Sequence, residues 1–258
     1  MTLVANGQEK GATAAPDVRF QIPATDDGLA GTGPIMRTDW FQRDWTQRRS
    51  QWALRVSQDQ HSVVFLGDSI TQGWGDDFRG LFPGLKAANR GINGDTTRGV
   101  LLRLDEDVLS LHPAAIVVLI GINDIGCRAS PEGAASNMRL ILADIRKADP
   151  HVPIILCQVF PSSVEKKGPA SEIMRLNELY AKAAQGDTRI TFLVTWPLFA
   201  NEKGESKPEE FPDLVHPNQV GYTKWADALR PALIARGLLP SGAAPESEPN
   251  GGILHQGK

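Results

Sequence analysis

Two short strings, far apart in the chain, hold side chains that could act together on a carbonyl. In Val63-Val64-Phe65-Leu66-Gly67-Asp68-Ser69-Ile70-Thr71-Gln72 an apolar run passes through a glycine and delivers Ser69 into a turn. In Asp213-Leu214-Val215-His216-Pro217 a carboxylate stands three residues ahead of an imidazole. A serine hydroxyl is a weak nucleophile at neutral pH. It needs a base, a group that orients the base, and donors for the oxyanion that forms when a carbonyl is attacked. With three positions separating them in a turn, Asp213 can accept from one ring nitrogen of His216 while the other faces Ser69. Alone, an Asp-x-x-His string is more often a surface turn whose aspartate caps a following helix, so its weight comes from its company.

Oxyanion donors are expected in two further loops. Arg90-Gly91-Ile92-Asn93-Gly94-Asp95-Thr96 joins a strand to a helix with two glycines, and the Gly94 amide can be turned outward where no β-carbon intervenes. Gly121-Ile122-Asn123-Asp124 ends another apolar run, so the Asn123 side chain can donate through its NH2 while Asp124 tethers neighbouring backbone. The Ser69 amide is the remaining donor. Trp74, between Gly73 and Gly75, is expected as one wall of a substrate cleft, with a surface tryptophan packed on the next helix as the alternative. His61 lies before the first strand, His112 and His151 lack a carboxylate at suggestive spacing, and His255 lies in the tail. No G-x-S-x-G elbow, G-x-x-x-x-G-K-[ST] phosphate loop or H-E-x-x-H pair is present, and a metal-free mechanism is the simplest reading.

The elements that must position these groups follow from hydrophobic periodicity. Strand-like runs are read at Val63 to Leu66, Leu85 to Asn89, Ile116 to Ile120, Ile154 to Val159 and Ile190 to Val194. Helical patterns are read at Thr96 to Leu104, Pro131 to Ala148, Ser171 to Gln185 and Gln219 to Ala235, with Pro217 opening the last. Strands alternating with helices, without hairpin signals, predict a parallel sheet covered on both faces. The candidate residues then gather along one rim, at the carboxyl ends of strands, where ligands of such sheets bind. Ahead of the first strand, Asp39 reads as an N-cap for a helix with Trp40, Phe41, Trp45, Trp52 and Val56 on one side and Arg43, Arg48, Arg49 and Arg55 mostly opposite. Such a stripe reads as a face packed on the sheet, with an aromatic ligand platform as the rarer use.

With 258 residues, 41% of them hydrophobic, the chain can bury one full core. The expected layout is an extended or poorly ordered lead-in over 1–38, one catalytic domain over 39–239, and a disordered Pro-, Gly- and Ser-rich tail over 240–258. A net charge of −3 from interspersed acids and bases gives no footprint for nucleic acid. No apolar run approaches the roughly 20 residues of a membrane span, and the first thirty residues lack a signal-peptide core. The reading is a soluble chain, either cytoplasmic or exported with its leader removed, of unassigned oligomeric state. Cys127 and Cys157 fit two free thiols better than one bridge, and they lack the spacing of a zinc site.

Taken jointly, Gly67-Asp68-Ser69-Ile70, Gly94, Gly121-Ile122-Asn123-Asp124 and Asp213-Leu214-Val215-His216 resemble the four signature blocks of the SGNH, or GDSL-type, hydrolases. Only Ile70, where the shorthand name has leucine, departs from the pattern. The run GINGDTTRGVLLRL is most similar to the branch holding the catalytic subunits of platelet-activating-factor acetylhydrolase and many bacterial acyl-esterases. The resemblance implies a flavodoxin-like three-layer α/β/α sandwich on a five-stranded parallel sheet, no cofactor, and an open cleft. It also implies roles: Ser69 as nucleophile, His216 as base, Asp213 as its orienter, and the Ser69 amide, Gly94 amide and Asn123 side chain as oxyanion donors, with Asp68 and Asp124 supporting. The expected activity is hydrolysis of short-chain, acetyl-type carboxylic esters of a small soluble alcohol or carbohydrate. Thioesterase, acyltransferase or lysophospholipase-type activity is the alternative on the same site, and a non-catalytic or flavin-holding protein is the alternative of another class.

Overall fold

The computed structural model describes residues 20–241. Its strands β1 (Val63–Gly67), β2 (Ala87–Gly91), β3 (Ala115–Leu119), β4 (Ile154–Cys157) and β5 (Ile190–Leu193) form a single sheet in the order β2-β1-β3-β4-β5. Every neighbouring pair is parallel. β1 and β3 are buried on both faces, which is why they read as continuous apolar runs rather than alternating ones. The chain runs outward from β1 to β2 and then returns past β1 to β3. This reversal is the switch point of a flavodoxin-like sheet, and it opens a crevice at the carboxyl ends of the central strands.

The helices are α1 (Asp39–Ala53), α2 (Val56–Asp59), α3 (Ser69–Gln72), α4 (Thr97–Asp107), α5 (Ile122–Gly126), α6 (Pro131–Ala148), α7 (Ala170–Ala184), α8 (Trp196–Phe199) and α9 (Gln219–Ala235). Right-handed crossovers place α4, α6 and α7 together on one face of the sheet, α6 packing between the other two. On the other face α9 brings Tyr222 and Trp225 against Trp74, which in turn meets Phe65 of β1. The expected three layers are thus present.

β2 begins and ends two residues later than its hydrophobicity suggests. Its last residues include Asn89, read as the end of an apolar run, and Arg90, read as the start of the following loop. Both are buried: Arg90 is held by Asp59 at 2.7 Å, and Asn89 bonds backbone on either side of it. The strand therefore continues through residues whose polarity is satisfied internally.

α1 docks through Phe41, Trp45 and Trp52, which cluster with Ile92. Its N-cap is Thr38 rather than Asp39, and the helix ends before Val56. Arg49, expected on the outer side, turns inward and pairs with Asp107 at 2.8 Å. Residues 20–38 lie across the domain. Arg98 bonds the carbonyls of Ala30 and Gly33, Asn137 exchanges two bonds with the backbone of Thr32, and the Thr96 hydroxyl donates to the Pro34 carbonyl. The expected tail falls outside the described residues from position 242 onward. Cys127 is exposed, Cys157 is buried, and both are free. Among the described residues no helix is long and apolar enough to cross a membrane.

Candidate active site

Ser69 is the first residue of α3, directly beyond the carboxyl end of β1. Asp68 caps that helix by accepting the Ile70 amide at 3.0 Å, which fixes the turn at the backbone of Ser69. The helix rests on β2 because residue 91 is glycine. A Cβ there would stand 2.3 Å from the Gln72 nitrogen and 2.7 Å from the Asp68 carbonyl oxygen, closer than atoms can approach. Asn89 adds a second tie, donating to the carbonyls of Thr71 and Gly75. The Tyr222 hydroxyl supplies a third, donating to the Ile70 carbonyl.

Across the crevice, Nε2 of His216 lies 2.8 Å from Oγ of Ser69, and Nδ1 of His216 lies 2.6 Å from Oδ2 of Asp213. The other carboxylate oxygen, Oδ1, accepts the amides of Val215 and His216. Partial burial draws the Asp213 carboxyl upward, but these three hydrogen bonds outweigh it and leave the carboxyl at about 2. An ionised carboxylate can only accept, so Nδ1 must carry the imidazole proton and Nε2 is left to accept from Ser69. The turn holding this pair places Leu214 in the left-handed region, at φ 67°. The Leu214 carbonyl is held there by the hydroxyls of Ser162, at 3.1 Å, and Ser206, at 2.9 Å. Pro217 does not open α9 as expected: Asn218 caps the helix, accepting from Val220 and Gly221, and the first helical residue is Gln219.

The remaining predicted groups lie just beyond β2 and β3. Gly94 has φ +80°, a conformation open to glycine and strained for other residues. Among the described residues the amides of Ser69 and Gly94 donate to no protein acceptor. Asn123 lies on α5, just past β3. Its Nδ2 donates to the Asp95 carbonyl at 2.9 Å, which fixes the amide plane and leaves its second N–H unspent. Asp124 accepts the Thr97 amide at 2.9 Å and the Thr97 hydroxyl at 2.6 Å, locking α5 to the start of α4.

Behind this surface lies a buried charged layer. Asp68, Asp95 and Asp124 are all fully buried. Desolvation raises each of them, Asp68 to about 7 and Asp95 and Asp124 to about 6, with mutual repulsion adding to the rise at Asp68 and Asp124. Arg103, also fully buried, bonds Asp95 at 2.8 Å and the carbonyl of Gly67 at 3.1 Å. It therefore ties the nucleophile's strand to the Gly94 loop. The sequence reading overlooked it, although a visible signal existed: an arginine three residues after Val100, on the apolar side of α4. The Ser162 and Ser206 contacts with Leu214 left no comparable trace, because they join segments distant in sequence.

Trp74 requires a correction. It does not border the crevice: it is wholly buried, stacked on Trp225 at 4.3 Å and against Tyr222 at 5.4 Å between ring centroids. The flanking glycines suggested an exposed loop, but α9 covers the indole.

The geometry describes a serine hydroxyl held by an imidazole that a carboxylate orients, and similarity to known proteins agrees with it. Residues 65–224 match the GDSL-like Lipase/Acylhydrolase family. The chain is 29% identical over 212 residues to platelet-activating factor acetylhydrolase IB subunit alpha1 of Bos taurus, covering 80% of this chain and 90% of the relative. A GDSL-like lipase from Bacteroides thetaiotaomicron superposes with a TM-score of 0.62 at 25% identity, over 72% of this chain and 97% of that one. An acetyl xylan esterase superposes at 0.54 with 22% identity, over 67% and 99%, a likeness of fold. The chain belongs to the GDSL-like lipase/acylhydrolase family and is a carboxylic-ester hydrolase.

Proposed function

We propose that the protein hydrolyses short-chain, acetyl-type esters of a small alcohol or carbohydrate through an acyl-enzyme on Ser69. The observation that carries this reading is the unbroken chain of contacts from Asp213 through His216 to the Ser69 hydroxyl. In the first half-reaction His216 Nε2 takes the hydroxyl proton as Oγ bonds to the ester carbonyl carbon. The carbonyl oxygen becomes an oxyanion, received by the Ser69 amide, the Gly94 amide and the spare N–H of Asn123. The tetrahedral species collapses by breaking the bond to the alcohol oxygen, which leaves with the proton from His216. Water then repeats the sequence on the acyl-serine, with His216 accepting its proton and returning it to Ser69, and the carboxylic acid is released. Asp213 stays ionised throughout and supports the imidazolium formed at each step.

Preference for acetyl is supported by the names of the relatives and neighbours, an acetylhydrolase and an acetyl xylan esterase. Both His216 and Asp213 have side chains near half exposure, which suits an alcohol group too bulky for an enclosed pocket. The test is a series of p-nitrophenyl esters from acetyl to decanoyl, run with the parent and with Ser69→Ala. kcat/KM should fall with acyl length and disappear in the variant. Rates that climb with acyl length would favour lysophospholipase-type action, and faster turnover of acetyl thioesters than of oxygen esters would favour a thioesterase.

A further inference from the structure

With Trp74 buried under α9, the aromatic wall expected of it is missing, and a different tryptophan lies exposed against the Gly94 loop. Trp40 belongs to the aromatic stripe of α1, yet it does not share that stripe's burial. Phe41, Trp45 and Trp52 are all within 5% of complete burial, whereas Trp40 is 43% exposed. Its position is set by Gly94. A Cβ on residue 94 would stand 2.6 Å from Cη2 of Trp40, so the indole lies directly against the backbone of that residue. The edge of Phe41 steadies it, at 5.8 Å between ring centroids and 88° between planes.

One helical turn further on, Asp44 lies on the same side of α1 as Trp40. Its Oδ1 is 3.5 Å from Nε2 of Gln72, the last residue of the nucleophile's helix, and Gln72 in turn accepts the Asn93 amide. The other oxygen of Asp44 is buried without a protein partner. Beside the exposed indole, Asp44, Gln72 and Asn93 thus form a run of polar contacts from α1 through the helix of Ser69 to the Gly94 loop. An acetyl group is too small to need such a surface. An indole bordered by amide and carboxylate groups suits the face of a ring that carries both C–H and hydroxyl groups.

Resting on the ester-hydrolase reading of the site, we propose that Trp40 is a specificity-determining residue that packs on the sugar ring of the alcohol half of the substrate. It acts by binding rather than by chemistry.

The test compares an acetylated methyl xyloside with ethyl acetate in the parent, Trp40→Ala and Trp40→Phe. Both release acetate, and only the first presents a ring. In Trp40→Ala the ratio of kcat/KM for the xyloside ester to that for ethyl acetate should fall about tenfold, about 1.4 kcal/mol, carried mainly by KM. Trp40→Phe should restore most of the ratio, which a merely structural loss would not. An unchanged ratio, whether both substrates slow together or neither does, overturns the proposal. A ratio that changes with acyl length instead of with the alcohol also overturns it and places Trp40 on the acyl side. The underlying site fails separately, if Ser69→Ala still hydrolyses ethyl acetate at the parent rate.

Discussion

The hydroxyl of Ser206 donates to the carbonyl of Leu214 at 2.9 Å, and this contact helps hold a non-glycine residue at φ 67° between Asp213 and His216. Left-handed backbone at leucine costs of order 1–3 kcal/mol and persists only where surrounding bonds enforce it. Ser162 provides the other such bond, from a loop beyond β4. Replacing both serines by alanine should let the turn relax and move the imidazole away from Ser69. The expected result in steady-state kinetics is a fall in kcat of about fivefold or more, equivalent to roughly 1 kcal/mol, with KM little changed. Either single variant should show less, because the remaining hydroxyl still holds the carbonyl.

Asn123 has one N–H committed to the Asp95 carbonyl and one unspent. In the proposed mechanism such a donor is set before the oxyanion forms and costs no reorganisation when it does. Asn123→Ala should lower kcat by about 10²- to 10³-fold while KM for p-nitrophenyl acetate changes far less. A loss confined to KM would mean that the amide binds substrate and does not serve the transition state.

Asp68 supplies a dependence of stability on pH. Its carboxyl is raised from about 3.8 to about 7 in the folded protein, first by burial and then by the neighbouring Asp95 and Asp124 carboxylates. Between those limits the folded state holds a proton that the unfolded state has released, so this group's contribution to stability declines as pH rises from about 4 to about 7. A carboxamide in its place would not titrate. The difference in Tm between Asp68→Asn and the parent should therefore shift in the variant's favour across that interval, each 1 kcal/mol corresponding to about 2–4 °C. A difference independent of pH would show that Asp68 is ionised throughout.

Trp74 and Trp40 should separate cleanly by their effects. Trp74 fills the core between β1 and α9, and Trp74→Ala should cost about 3–5 kcal/mol, seen as a Tm lowered by roughly 10 °C. At temperatures where the variant stays folded, its preference among ester substrates should match that of the parent.

The difference between these two tryptophans shows where sequence reading succeeds. The strands and long helices were legible because their burial repeats along the chain. The α6 and α9 patterns end where the helices end, and apolar runs mark β1 and β3. Ser69, Asp213 and His216 were legible because turn chemistry and strand ends confine them to one rim. Trp40 was not, since its neighbours in sequence are core residues and its contact with Gly94 crosses from α1 to a loop after β2. Arg90 and Arg103 illustrate the same limit. Nothing in their spacing pairs them with Asp59 and Asp95, which only the fold brings to them.

The central claim concerns a single oxygen. Treating the folded protein with a fluorophosphonate probe and mapping the adduct by mass spectrometry should find one modification, on the peptide containing Ser69. Labelling and ester hydrolysis should be lost together in Ser69→Ala and strongly slowed in His216→Ala. An adduct on another residue, or a Ser69→Ala protein that hydrolyses p-nitrophenyl acetate as fast as the parent, would contradict the account.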